Sequence, residues 1–246
     1  MPIPRPWLPP HNIPDLRRAV PADLPPLPQP VDYAAVKAVA VGENNDPLIP
    51  VPDTLDQEHL YLQLGSELMP RIMYLRQEVV TRLLKAQGSL PPGFRFVLLD
   101  TWRTVDAQRE LMRIYLEEDP NLGDGYVSDA DDSHVHAPHT TGGAVDLTLS
   151  YHGCALRMGA DFDEFAPTAH FLALEDISPT ADAETLLARD LRRLLAKVLI
   201  DASFAPLSQE WWHFSYGDQR WAAHYGLPES LYSTCLPDVD AKGGGD

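Results

Sequence analysis

Residues 1–30 carry 11 of the chain's 24 prolines. Proline locks φ and removes a backbone donor, so at that density neither a helix nor a central strand is expected to persist. The folded body is therefore expected to begin near residue 31, with 1–30 lying over its surface as an extended arm. At the other end, AKGGGD at 241–246 reads as a disordered tail. What remains, 31–240, suits one domain of ordinary size.

Inside that body the hydrophobic periods alternate between those of helix and strand. Leu68, Ile72, Leu75, Val79 and Leu83 recur at steps of four and three, which predicts one helix ending near Gly88. FRFVLLD, residues 94–100, follows Pro-Pro-Gly and reads as a buried strand. Ala107, Leu111, Ile114 and Tyr115 mark a second helix starting just after Arg103. The acidic stretch 123–133 reads as a loop. In GAVDLTL, Ala144, Asp146 and Thr148 alternate with Val145, Leu147 and Leu149, the pattern of a half-buried strand. Leu187, Leu191, Leu194 and Val198 give a third helix, and WWHFSY at 211–216 a late strand. Such an order suits an α+β fold.

Charge narrows the partners. Thirty-six acidic against 19 basic side chains leave a formal net charge of −17, which repels phosphate backbones and anionic lipid, so nucleic acid is not an expected partner. No run approaches the roughly 18 apolar residues of a membrane span, and MPIPRPWLPP lacks the pattern of a secretory signal. A cytoplasmic location is the default. Cys154 and Cys235 form no Cys-x-x-Cys pair and are expected to be free thiols. The oligomeric state is not set by these features.

Three clusters carry candidate chemistry. His139 and Asp146 are separated by Thr-Thr-Gly-Gly-Ala-Val, and the glycine pair permits a tight turn that folds a loop histidine back beside an aspartate on the next strand. The spacing alone fits a turn-capping aspartate and an exposed histidine equally well, but an unpaired carboxylate between Val145 and Leu147 is costly to bury, which favours a cation. Glu210 and His213 flank two tryptophans. A strand-edge glutamate beside a core histidine is the plainer reading, because residues three apart in a regular strand face opposite ways. Both serve one site only if the chain bulges or turns at Glu210. His134 and His136 are alternative ligands near His139. Two histidines and one aspartate would leave a fourth zinc position for water, whose pKa falls to about 7. Glu210 is the candidate to take its proton, and Arg103, at a strand-to-helix junction, could stabilise an oxyanion.

From about residue 55 to residue 216 these motifs, in this order, resemble the D-alanyl-D-alanine dipeptidases, part of a wider group of zinc D,D-peptidases. HTTGGAVDLTL at 139–149 is similar to the family's H-x-x-G-x-A-x-D-L-T-L run, and Glu210, Trp212 and His213 match its E-x-W-H motif. The resemblance implies a small, mainly antiparallel sheet flanked by helices and one Zn2+ held by His139, Asp146 and His213. It further implies Glu210 as catalytic base and Arg103, after Trp102, as an aid to the transition state. RMGADFDEF at 157–165 looks like the family's M-G-x-x-F-D stretch, which makes Asp163 the residue that binds the free ammonium of a small dipeptide, D-Ala-D-Ala by implication. The rivals are a D,D-carboxypeptidase or endopeptidase acting on cell-wall peptides, whose penultimate nitrogen is acylated, and a non-catalytic zinc-stabilised module. Asp163 argues against the first; a structural metal site needs neither Glu210 nor Arg103. Two departures stand out: Ala137-Pro138 replaces the family's usual serines and so removes a substrate hydrogen bond, and Thr104 replaces a proline, which is expected to loosen the turn after Arg103.

Overall fold

Between Pro14 and Pro21 the chain makes one helical turn, α1 (Leu16–Ala19), so helix is not wholly absent from the proline-rich arm. The turn survives because it contains no proline and is held by tertiary contacts: Leu16 and Val20 are buried, and Arg17 ion-pairs with Asp190. The computed structural model describes residues 13, 15–120, 122, 128–132 and 134–237. Most of the arm before α1, most of the acidic stretch 123–133 and the tail 241–246 lie outside the described residues.

After α1 comes α2 (Tyr33–Lys37), capped by the Asp32 side chain, then strands β1 (Leu48–Pro50), β2 (Asp56–Gln57) and β3 (Tyr74–Arg76). Helix α3 (Gln77–Gln87) starts nine residues later than the Leu68 stripe predicts. Pro70 interrupts the helical pattern, and Tyr74–Arg76 instead pair antiparallel with Leu48–Pro50 in a two-stranded sheet. Leu75, Val79 and Leu83 are buried as expected, whereas Leu68 and Ile72 are about half exposed, at 49% and 51%.

The main sheet takes β4 (Phe94–Asp100), β5 (Ala144–Tyr151), β7 (Ala205–Leu207) and β8 (Glu210–Ser215) in the order β2-β4-β5-β8-β7, with β6 (Cys154–Ala155) beside β5. Every pairing except β2 with β4 is antiparallel. Helix α4 (Val105–Glu118) follows β4. Helix α5 (Ala183–Asp201) packs on α3 and on the sheet, and α6 (Gln219–His224) follows β8. This is the expected α+β architecture. No helix among the described residues is long and apolar enough to cross a membrane, and both cysteines are free.

Strand β5 departs from the half-buried expectation, because all eight of its residues are buried. Its apolar face joins the core through Val145, Leu147 and Leu149. The polar face is covered as well: Thr148 donates to the Leu156 carbonyl, and Asp146 lies against two histidines. Alternation shows which residues share a face, not whether that face meets water.

Candidate active site

Three neighbouring strands set a row of polar residues across the sheet. Asp146 on β5 is the cross-strand partner of His213 on β8 and of Asp100 on β4. The second pairing depends on a bulge at Leu99: Leu98 faces Leu147, and without the extra residue Leu99 would occupy the place of Asp100. A second irregularity joins Glu210 to the row. Phe214 pairs with Pro206, yet Glu210 pairs with the very next residue, Leu207. The bulge that a shared Glu210–His213 site requires is therefore present, and Glu210 Oε2 reaches 3.7 Å from His213 Nδ1.

His139 arrives on a short 3-10 turn, Pro138–Thr141, which Gly142 ends at φ 73°. A Cβ on Gly143 would fall 2.4 Å from the Tyr216 carbonyl oxygen, so that position has no room for a side chain, and the left-handed φ of Gly142 strains any other residue there. Arg76 holds the turn, its backbone N–H donating to the Gly142 carbonyl and its Nε to the Thr141 carbonyl.

The three candidate ligands converge. His139 Nε2 lies 3.2 Å from His213 Nδ1 and 3.3 Å from Asp146 Oδ2, and His213 Nδ1 lies 3.0 Å from Asp146 Oδ1. A tetrahedral zinc ion with bonds of about 2.0–2.1 Å has ligand–ligand edges of roughly 3.3 Å, which the two histidine nitrogens match, each facing a different oxygen of the Asp146 carboxylate. The tautomers fit too. His139 Nδ1 lies 2.6 Å from the Thr101 carbonyl oxygen, which can only accept, so Nδ1 carries the proton and Nε2 offers a lone pair to the cluster. His213 is turned the other way, with Nδ1 toward Asp146 and Nε2 3.1 Å from Ser215 Oγ. Among the described residues, no other group of His, Cys, Asp and Glu converges in this way. His134 is exposed, and His136 Nδ1 accepts from the Thr234 N–H, so neither belongs to the trio.

Arg103, Asp163 and Glu210 line the same cavity as His139, Asp146 and His213. Arg103 donates its backbone N–H to the His139 carbonyl, and its guanidinium stands over the Tyr61 ring at 5.3 Å. Burial opposes its charge, but Asp100 and further acids outweigh that and raise its pKa. Thr104, at the place of the family's proline, caps α4, its hydroxyl accepting from the Ala107 N–H. Asp163 is buried at a left-handed φ of 56° and accepts hydrogen bonds from the Tyr115 and Tyr61 hydroxyls. Burial raises its pKa to about 6 despite those bonds. Glu210 is also held well above the usual carboxylate range, by burial and by the negative charges of Asp146 and Asp163.

Sequence reasoning missed Asp100, Tyr61 and Arg220 as lining or supporting residues. Asp100 left a signal, an acid closing an apolar strand three residues before Arg103. Tyr61 sits on an isolated 3-10 turn, Leu60–Leu64, and Arg220 on a short helix, and no local pattern marks either one.

The model of the D-ala-D-ala dipeptidase family matches residues 67–230, well over half of the chain and every site residue described above except Tyr61. The chain belongs to this family. A D-alanyl-D-alanine dipeptidase of Synechocystis is 26% identical over 221 residues, spanning 76% of this chain and 89% of the relative. That of Escherichia coli K12 is 34% identical over 161 residues, 65% of this chain and 73% of its own. The crystal structure of the vancomycin-resistance D,D-dipeptidase VanXYg, in complex with a D-Ala-D-Ala phosphinate analog, covers 80% of this chain and 71% of its own with a TM-score of 0.43 and 16% identity. Family membership makes this chain a peptidase.

Proposed function

We propose that the protein hydrolyses a small free dipeptide, D-alanyl-D-alanine, with zinc held by His139, Asp146 and His213. The observation that carries this reading is the convergence of two histidine nitrogens 3.2 Å apart on the Asp146 carboxylate, one 3.3 Å from Oδ2 and the other 3.0 Å from Oδ1, with Glu210 beside them and Arg103 and Asp163 in the same cavity. A bound zinc ion would acidify water in its open position and polarise the scissile carbonyl.

The other roles belong to the chain's own side chains. Glu210 takes the proton from the attacking water and returns it to the leaving amine. Its raised proton affinity suits a group that must hold the proton briefly and then give it back. Arg103, kept charged by Asp100, presents forked donors to the oxygen that becomes negative. Asp163 pairs with the substrate ammonium, which selects an unblocked N-terminus. A peptide acylated at that nitrogen carries no positive charge there, so a carboxypeptidase would have no use for a buried acid in this place.

The test combines metal analysis with kinetics. Glu210→Gln is expected to bind one zinc per chain while turnover falls by about 10²–10⁴-fold, and His139→Ala to lose the metal. Full activity in the Glu210 variant would overturn the assignment of the base. Cleavage of N-acetyl-D-Ala-D-Ala as fast as the free dipeptide would overturn the role of Asp163.

A further inference from the structure

Arg220 on α6 is 9% exposed and lines the cavity that holds Glu210 and Asp163. Its Nε, like that of Arg103, has no hydrogen-bond partner, but unlike Arg103 its guanidinium makes no ion pair among the described residues. Asp218 and Glu210 feel its charge, but neither ion-pairs with it: Asp218 Oδ1 caps α6 by accepting from the Trp221 N–H, its Oδ2 makes no hydrogen bond, and Glu210 faces His213. Burial accordingly lowers the Arg220 pKa, whereas Asp100 and nearby acids raise that of Arg103. A buried guanidinium whose nearby acids stop short of an ion pair is costly, and a cavity is the route by which a closer anion can reach it.

We propose that Arg220 receives the C-terminal carboxylate of the dipeptide. This rests on the dipeptidase reading and deepens it. A free dipeptide has two charged ends, and Asp163 answers the ammonium. Of the two arginines lining the cavity, Arg103 is already paired with Asp100, which leaves Arg220 for the carboxylate. The planar fork of a guanidinium matches a carboxylate bidentately. Gln108 and Ser128, which line the same cavity, carry no charge, and Gln108 Nε2 already donates to the Ser128 carbonyl. With an acid for one end and a cation for the other, the site measures length: a residue added beyond the second would leave Arg220 buried and unpaired.

The experiment compares binding of D-Ala-D-Ala with binding of its C-terminal amide to zinc-loaded protein carrying Glu210→Gln, by calorimetry. The free acid is expected to bind about 10- to 100-fold more tightly than the amide, the range for a hydrogen-bonded charge. Adding Arg220→Gln should bring that ratio to about one, and Arg220→Lys, which keeps the charge but not the fork, should give an intermediate value. Equal binding of acid and amide by the protein that retains Arg220 would overturn the proposal, as would an unchanged ratio in either variant. Failure of the dipeptidase reading looks different: the protein with Glu210 intact would hydrolyse no dipeptide at all.

Discussion

Asp100 Oδ2 lies 2.9 Å from Arg103 Nε, two buried charges of opposite sign across a strand-to-helix junction. The same oxygen stands 3.3 Å from His139 Nδ1, whose proton goes to the Thr101 carbonyl, so it lies beside that ring without a hydrogen bond to it. Burial pushes the Asp100 pKa up to about 7 against the pull of Arg103 and His139. Asp100→Ala would leave Arg103 buried without its partner and is expected to cost about 3–5 kcal/mol of stability, read by urea denaturation. Asp100→Asn keeps the shape and loses the charge. It should retain zinc while kcat/KM drops by about 10- to 100-fold, because Arg103 loses the charge that holds it in the site.

Metal removal gives a second prediction. The donor set is two imidazole nitrogens and a carboxylate, which suits zinc and suits magnesium poorly. Chelation should abolish dipeptide hydrolysis and lower the melting temperature, because an ion that binds only the folded chain stabilises it. Added zinc should restore both properties and added magnesium neither. Undiminished activity in a chelated, metal-free sample would count against the reading.

Asp163 makes stability depend on pH. Its folded pKa is raised to about 6 by burial, against the hydrogen bonds from Tyr115 and Tyr61, whereas an unfolded aspartate titrates near about 3.9. The folded state therefore binds this proton more tightly, and the stability it contributes is full below about pH 4 and lost as pH rises through 6. Asp163→Asn, permanently neutral, should be more stable than the parent at pH 8 by on the order of 2–3 kcal/mol. The gap should close as the pH falls toward about 4. Melting curves at several pH values without substrate check this, and kcat/KM for the free dipeptide should fall in the same variant.

Much of this architecture is legible in the chain, for identifiable reasons. β4, β5, α4 and α5 carry long, regular hydrophobic periods, and the Glu210–His213 bulge follows from asking how two residues three apart could meet. Illegible features depend on partners remote in sequence. Tyr74–Arg76 is strand because Leu48–Pro50 lies beside it, which no window around residue 75 contains. Asp100 faces Asp146 only because one residue, Leu99, bulges. Arg220 reads as an ordinary charge on a short helix until the cavity beside it is seen.

Arg192 supplies the last prediction. This α5 residue, 2% exposed, donates from Nε to the Met158 carbonyl at 2.7 Å, from Nη1 to that of His170 at 2.9 Å and from Nη2 to that of Thr168 at 2.7 Å. Those carbonyls bracket the segment that carries Asp163. Burial lowers the guanidinium pKa to about 9, with only Glu164 opposing it, so the fold keeps a costly cation here and spends its donors on backbone. Asp163 needs such a clamp, because a left-handed aspartate persists only where its surroundings over-determine it. Arg192→Met should destabilise the protein by about 3–5 kcal/mol, as expected when several buried acceptors lose a charged donor. If the clamp also positions Asp163, KM for the free dipeptide should rise while kcat stays nearly constant. Binding of the N-acetylated dipeptide, which has no ammonium for Asp163 to meet, should then be little affected. A purely structural Arg192 would lower stability and leave KM where it was, so the split between KM and kcat decides whether this arginine serves the site or only the fold.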